Sequence, residues 1–165
     1  MESVIGRELA DIQRNVTAAA AILHVLGERC HRATIDLHSD YQRRMPPEVR
    51  QAEAGLFEIA AERSGGRRLP RTMGLKLNLD DPHERRLFEQ YAVWSINTDV
   101  FDRHGAWVAT FHDSGHSLTF DMDDDERQQL AQLLPGLPIM TLEQWEAADQ
   151  AAPTKKGWLA RLKRR

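Results

Sequence analysis

The amino-acid sequence predicts an α+β protein: a long N-terminal helix and a second helix, followed by a small domain with a three-stranded antiparallel meander. Three observations predict this arrangement. Apolar residues recur at heptad spacing through the first forty residues, Pro46 and Pro47 separate two helical segments, and residues 107–122 alternate between apolar and polar side chains. Heptad spacing is typical of a helix that buries one stripe, whereas alternation is typical of strands.

The first predicted element is a helix of residues 3–44, whose apolar side chains follow one another at spacings of four and three. Such a helix would be about 60 Å long, whereas a compact globule of this size is about 40 Å across. We therefore expect it either to pair with a second chain or to break near Gly27 and fold back. The expected association interface of this coiled-coil-like bundle consists of Leu9, Ile12, Val16, Leu23, Leu26 and Leu37.

A second helix is predicted over residues 47–63, because proline suits the first turn of a helix and the glycines that follow suit its end. Residues 1–63 thus form a predicted helical association module. The polar, glycine-rich and basic residues 64–81 are predicted as a linker that contains one short strand around Leu77.

The small domain is predicted over residues 82–150, with the element order α-β-β-β-α and a short C-terminal helix. Asp81 is expected to cap the first helix. If Ser114 and Gly115 form a two-residue loop, the large apolar side chains of the hairpin share one face. The expected pairs are Phe111 with Leu118, Ala109 with Phe120, and Trp107 with Met122.

The last predicted helices begin at capping residues. Asp123 is expected to cap a helix of residues 124–134, whose acidic first turn suits the helix dipole. Thr141 with Gln144 forms a capping-box pattern for the short C-terminal helix. Residues 151–165 follow as a basic tail.

Composition narrows the class of protein. The chain has 165 residues, of which 41% are hydrophobic and 28% charged, as in ordinary globular proteins. Cys30 is the single cysteine, so we expect no intrachain disulfide and no cysteine-based zinc cage, and a cytoplasmic location fits. Because no apolar run approaches about 18 residues, we expect no membrane span.

His24, His31 and His38 are seven residues apart, a regularity that suggests a metal site. On one helix such residues lie about 10 Å apart, whereas the ligands of one metal ion lie much closer together. We therefore expect a solvated face. The alternative is a stripe that senses acid through protonation of histidine.

Residues 112–116 bring together two histidines, a carboxylate and a hydroxyl, which are the groups of a metal or hydrolytic site. The alternative catalytic residues are His112, Asp113 and His116. In the expected strand register, however, His112 points to the opposite face from the other two. We favour a structural role for this hairpin.

Asp121, Asp123 and Asp125 resemble the start of a calcium-binding loop. The position that requires glycine in such a loop is Glu126, and the position of the bidentate glutamate is Gln132. Helix capping therefore explains these acidic residues better than calcium binding.

The order helix, three strands, helix over residues 82–134 resembles that of double-stranded RNA-binding domains. Such domains present basic residues to phosphates at the start of the last helix. This chain has four acidic residues there, 123–126, so we expect no nucleic-acid binding through this domain.

The tail carries six Lys and Arg residues and no acidic residue. Its tail-binding candidates are Trp158, Arg161, Leu162 and Lys163. Such a segment suits an acidic groove of a protein, packing on the chain's own acidic segment, or a membrane surface or nucleic acid, and it can also remain disordered.

These patterns predict a non-enzymatic interaction or assembly protein. It is expected to self-associate through its N-terminal helices and to present the small α+β domain to another protein, with no cofactor and no metal. The alternatives are an enzyme, for example a metal-dependent hydrolase, with its site near His112 and His116, and peripheral membrane or nucleic-acid association through the tail.

Overall fold

The computed structural model describes residues 2–5, 12–66 and 72–151. In this part of the chain, seven strands form one antiparallel sheet in the order β3-β2-β4-β5-β6-β1-β7. The strands are β1 (Glu2–Ile5), β2 (Arg32–Ile35), β3 (Leu75–Asn78), β4 (Asn97–Phe101), β5 (Trp107–His112), β6 (Ser117–Asp121) and β7 (Met140–Thr141).

Five α-helices accompany the sheet in the described ranges, so the predicted α+β class is confirmed. They are α1 (Ile12–Val25), α2 (Pro47–Arg63), α3 (Pro82–Tyr91), α4 (Asp124–Leu133) and α5 (Leu142–Ala151). Single 3₁₀ turns lie at Gly27–Arg29, Gln42–Arg44 and Ala92–Trp94.

The predicted long N-terminal helix is wrong. Helix α1 ends at Val25, and after one 3₁₀ turn the chain enters β2, which lies between β3 and β4. Ala33 and Ile35 are buried while Thr34 between them is half-buried. This alternation, together with two β-branched residues in a row, favours a strand.

The residues of the predicted linker take part in the sheet. Strand β3 pairs with β2 in the register Ala33 to Leu77, and α2 packs against α3. Leu56 and Phe88, from opposite sides of the predicted linker, lie in the same hydrophobic core. The chain's own sheet and helices therefore cover Leu26 and Leu37, which the sequence assigned to the association interface.

Strands β4, β5 and β6 are consecutive neighbours, and Ala109 pairs with Phe120 and Phe111 with Leu118, as the alternation predicts. The third expected pair, Trp107 with Met122, lies beyond this register, which ends at Ala109 and Phe120. On the other side of β5, Trp107 pairs with Phe101 of β4, next to an irregularity between Val100 and Phe101. The three strands are not a separate meander, because β2 extends the sheet on one side and β1 on the other.

Side-chain caps fix the starts of three helices. Asp81 accepts hydrogen bonds from the backbone amides of His83 and Glu84. These amide donors, Glu84 first, hold the pKa of the Asp81 carboxyl below its usual value. Asp123 forms a reciprocal capping box with Glu126. Thr141 precedes α5 and Gln144 lies in its first turn, and the two residues form the same reciprocal pair of hydrogen bonds.

Candidate functional site

An apolar groove runs along one side of α1, between this helix, the first turn of α2 and the end of α3. It encloses about 230 Å³. We call it the α1 groove. Its apolar wall includes Val16, Ala19, Ala20, Leu23, Val49 and Val93.

The sequence of α1 explains why the groove is open. Residues 18–21 are four alanines in succession, whose small side chains favour a helix and leave space beside a neighbouring element. Ala18 and Ala19 are buried, whereas Ala20 is exposed. The wall is therefore apolar, and it reaches solvent at Ala20 and, in part, at Val16.

The rim of the α1 groove is acidic. Glu48 of α2 and Glu89 of α3 line it, and both residues are exposed. A second hollow of about 190 Å³ shares Ala20, Leu23 and Glu89 with the first and also includes His24. Among the described residues that line the two hollows, no lysine or arginine is present.

The predicted association residues divide into two sets. Leu26 and Leu37 lie inside the chain's own core, exposed by 0% and 3%, because the chain turns into the sheet after α1. Val16 and Leu23 line the α1 groove, and Ile12 is half-buried. Leu9 lies outside the described residues. Of the predicted association interface, the residues in α1 are therefore the ones that lie at the groove.

The hairpin that carries the alternative catalytic residues has a buried tip. Ser114 and Gly115 have φ angles of 55° and 79°, and the His116 amide donates to the carbonyl of Asp113, as in a type I′ turn. The Ser114 hydroxyl donates to the carbonyl of Trp94 over 3.2 Å. Asn15 of α1 donates its side-chain amide to the Ser114 carbonyl.

The side chains of this hairpin do not converge on one another. The ring nitrogen Nε2 of His116 lies 2.6 Å from the hydroxyl oxygen of Tyr41, and the two rings are stacked with their centroids 6.0 Å apart. His112 and Asp113 are exposed, and Ser114 is buried with its hydroxyl bonded to a backbone carbonyl. The described residues thus place no base beside this hydroxyl, as nucleophilic catalysis requires.

The three regularly spaced histidines do not share one helix, so they form neither the expected solvated helix face nor the alternative acid-sensing stripe. His24 is in α1 and exposed, whereas His31 and His38 flank β2. Nδ1 of His31 lies 2.7 Å from a carboxylate oxygen of Asp80. Within the described ranges, no group of three or more His, Cys, Asp or Glu side chains could hold a metal ion.

The acidic residues near α4 have structural partners. Arg29 lies 2.9 Å from a carboxylate oxygen of Asp121 and 2.8 Å from one of Glu126, and Asp123 caps α4. These contacts join the turn after α1 to the end of β6 and the start of α4.

A buried polar cluster that no pattern in the sequence indicates joins α2 to α3. Glu53 is 8% exposed and accepts hydrogen bonds from the hydroxyl of Tyr91 and the side-chain amide of Gln42. Burial, and secondly the nearby Glu53 carboxylate, raises the pKa of the Tyr91 hydroxyl. Tyr91 therefore remains a protonated donor, and the cluster holds the two helices together.

Trp158, Arg161, Leu162 and Lys163 of the predicted tail lie outside the described residues. Within the described ranges, each helix is too short or too polar to cross a membrane.

Comparison with protein-family models, curated proteins and solved structures gave no match.

Proposed function

We propose that this chain is a non-enzymatic interaction protein that self-associates through the α1 groove. The observation that supports the proposal is the apolar lining of this groove along α1, where Ala20 is exposed, Val16 is half-buried and Leu23 is 9% exposed. Exposed apolar surface rimmed by polar residues is typical of protein-binding sites. The volume of about 230 Å³ is below the range of about 300–1,000 Å³ for sites of drug-sized ligands, so inserted side chains of a protein suit it better.

The small residues of α1 favour a second copy as the partner. Ala19 and Ala20 face the groove, so a helix from a second copy can approach α1 closely. Two copies that meet through the same surface form an isologous dimer, the commonest oligomer. A stable dimer buries about 800 Å² on each partner, so the groove would form the centre of a larger contact.

The acidic rim predicts how self-association depends on the salt concentration. In an isologous contact, Glu48 and Glu89 of both copies come near one another, and like charges repel. Added salt screens this repulsion, with a Debye length of about 10 Å at 0.1 M and about 3 Å at 1 M. Self-association through the α1 groove should therefore strengthen as the salt concentration rises.

Sedimentation equilibrium of three full-length proteins tests the proposal. Ala20→Glu places a charge on the groove wall at an exposed position, and Ala54→Glu makes the same change at an exposed position of α2 outside the groove. We expect the wild type and Ala54→Glu to dimerise in the micromolar range and Ala20→Glu to remain a monomer. Circular dichroism shows whether each variant is folded. A monomeric wild type at high micromolar concentration, or equal behaviour of the two variants, would contradict the proposal.

A further inference from the structure

We infer that the outer edge of β3 is a strand-pairing surface for a second copy of this chain, and that Arg63 and Glu84 hold this surface closed. In the described part of the chain, β3 lies at one end of the sheet and pairs with β2 alone. An uncovered edge of this kind pairs readily with another strand, and native proteins block such edges. The inference does not depend on the α1 groove.

The register of β3 shows which of its main-chain groups face outward. The amide of Leu79 donates to the carbonyl of His31 over 2.9 Å. Residues of an antiparallel strand alternate between facing their partner and facing away from it, so the odd-numbered residues of β3 bond β2. The amides and carbonyls of Lys76 and Asn78 therefore point away from the sheet. These four groups are the ones that a further strand would bond.

Three of the four groups are already bonded within the chain. The guanidinium of Arg63, the last residue of α2, donates to the Lys76 carbonyl. A carboxylate oxygen of Glu84, in the first turn of α3, accepts from the Asn78 amide over 2.8 Å. The Asn78 carbonyl accepts from the Asp81 amide over 3.1 Å. Within the described residues, only the Lys76 amide is left for a new strand.

Arg63 and Glu84 also bond each other, and we call this pair the edge clasp. Nη1 of Arg63 bonds the Lys76 carbonyl while Nη2 bonds Oε1 of Glu84. The second carboxylate oxygen, Oε2, bonds the Asn78 amide. Each side chain therefore holds both the strand and its partner, through charge-assisted hydrogen bonds. The Glu84 side chain is only 13% exposed, so an incoming strand would have to displace it from a nearly buried position.

Opening the edge clasp frees a surface that is complementary to itself. Two copies of β3 that run antiparallel about a two-fold axis form an isologous contact, in which Lys76 of each copy lies opposite Asn78 of the other. The freed carbonyl of Lys76 then accepts from the freed amide of Asn78. Because β3 has four residues, this contact is small. The closed clasp is sufficient to prevent it and leaves self-association to other surfaces.

Sedimentation equilibrium in the Ala20→Glu background tests the edge clasp apart from the α1 groove. Arg63→Ala with Glu84→Ala opens the clasp without changing the net charge. We expect this open-clasp variant to self-associate at least about tenfold more tightly than the Ala20→Glu parent, because the freed groups bond across the contact. Arg50→Ala with Glu62→Ala is the matched control. It removes the same charges from exposed positions of α2 and should leave the association of the parent unchanged.

Lys76→Pro shows whether the new contact uses the edge of β3. The Lys76 amide faces outward, so proline there removes no bond to β2 but obstructs a further strand. Added to the open-clasp variant, it should restore the behaviour of the parent. Association that persists with Lys76→Pro, or no increase when the clasp is opened, would overturn the inference. If circular dichroism shows that the open-clasp variant is unfolded, Arg63→Ala alone should give a smaller increase that Lys76→Pro abolishes, and no increase would overturn the inference.

Amide hydrogen exchange of the wild type tests the closed clasp directly. The amides of Lys76 and Asn78 both face outward, but only that of Asn78 bonds Glu84. After correction for intrinsic rates, we expect the Asn78 amide to exchange at least about tenfold more slowly than the Lys76 amide, and Glu84→Ala to remove the difference. Equal exchange of the two amides in the wild type would overturn the inference. A wild type that stays monomeric would contradict the proposed function, whereas the clasp is decided by these two measurements.

Discussion

Replacing Gly115 with alanine tests the buried tip of the β5–β6 hairpin most sharply. Gly115 has a φ of +79°, and a Cβ atom there would lie 2.5 Å from Cγ2 of Val93 and 3.0 Å from Cβ of Asn15. The left-handed conformation costs alanine about 1–2 kcal/mol, and overpacking of a buried site costs about 1–3 kcal/mol. We therefore expect Gly115→Ala to lower the free energy of unfolding by about 2–5 kcal/mol.

Gly105→Ala is the matched control for backbone strain. Gly105 has a similar φ of +83°, but nothing lies within 4 Å of its added Cβ. Its loss should be about 1–2 kcal/mol, from the left-handed conformation alone. The difference between the two variants, about 1–3 kcal/mol, then measures the packing of the hairpin tip against α1 and the 3₁₀ turn.

Urea unfolding followed by circular dichroism gives the free energies by linear extrapolation. Equal losses in the two variants would refute the reasoning, because the hairpin tip would then have space for a methyl group. If Gly115→Ala does not fold at all, Val93→Ala in the same chain provides a second test. It removes the nearest side chain, so Gly115→Ala should fold in that background if the clash is the cause.

Three further predictions concern the described core and helix ends. Burial raises the pKa of the Cys30 thiol to about 11, so reaction with a disulfide reagent at pH 8 should be at least about 100-fold slower in native than in urea-unfolded protein; equal rates would contradict its burial. Asp123→Ala should lower the free energy of unfolding by about 1 kcal/mol, and the neighbouring exposed Asp125→Ala by less; equal losses would argue against the capping box. Folding lowers the pKa of the Asp81 carboxyl. The stability that this carboxylate contributes is therefore present above its unfolded pKa of about 3.8 and is lost as the pH falls through its folded pKa. Asp81→Asn should flatten the acid side of the stability profile, and an unchanged slope would contradict this linkage.

Local patterns in the sequence were sufficient for several elements. Alternation around Ser114 and Gly115 predicted the pairing of β5 with β6, because strand register follows from the apolar face and the turn. Asp81 and Asp123 predicted the starts of α3 and α4, because a cap acts on backbone amides within three residues. These signals act over short distances along the chain, so one sequence contains them completely.

The N-terminal region could not be predicted in the same way. Cys30, Ala33 and Leu37 continue the heptad spacing of α1, although Ala33 lies in a strand and its neighbours at 30 and 37 flank that strand. A spacing of three and four therefore did not distinguish a continued helix from a turn followed by a strand. The pairing of Glu2 with Asp121 joins residues far apart in the chain, and no local pattern indicates it.

The candidate site, too, could be predicted only in part from residue spacing. Val16 and Leu23 were predicted to lie at an interface, and the structure places both in the α1 groove. The opposite wall comes from Val49 and Val93, which belong to segments that the sequence assigned to two different domains. A groove between separate segments depends on tertiary packing, which residue spacing alone does not reveal.

Hydrogen–deuterium exchange of the wild-type chain at low and at high protein concentration tests whether the α1 groove is a docking surface. Protection of peptides from Ile12–Val25 and Pro82–Tyr91 that grows with concentration is the predicted result, since α1 and α3 form the groove. Unchanged exchange in both helices, with protection appearing instead at the edge strand Leu75–Asn78, would contradict the claim and indicate association through the sheet.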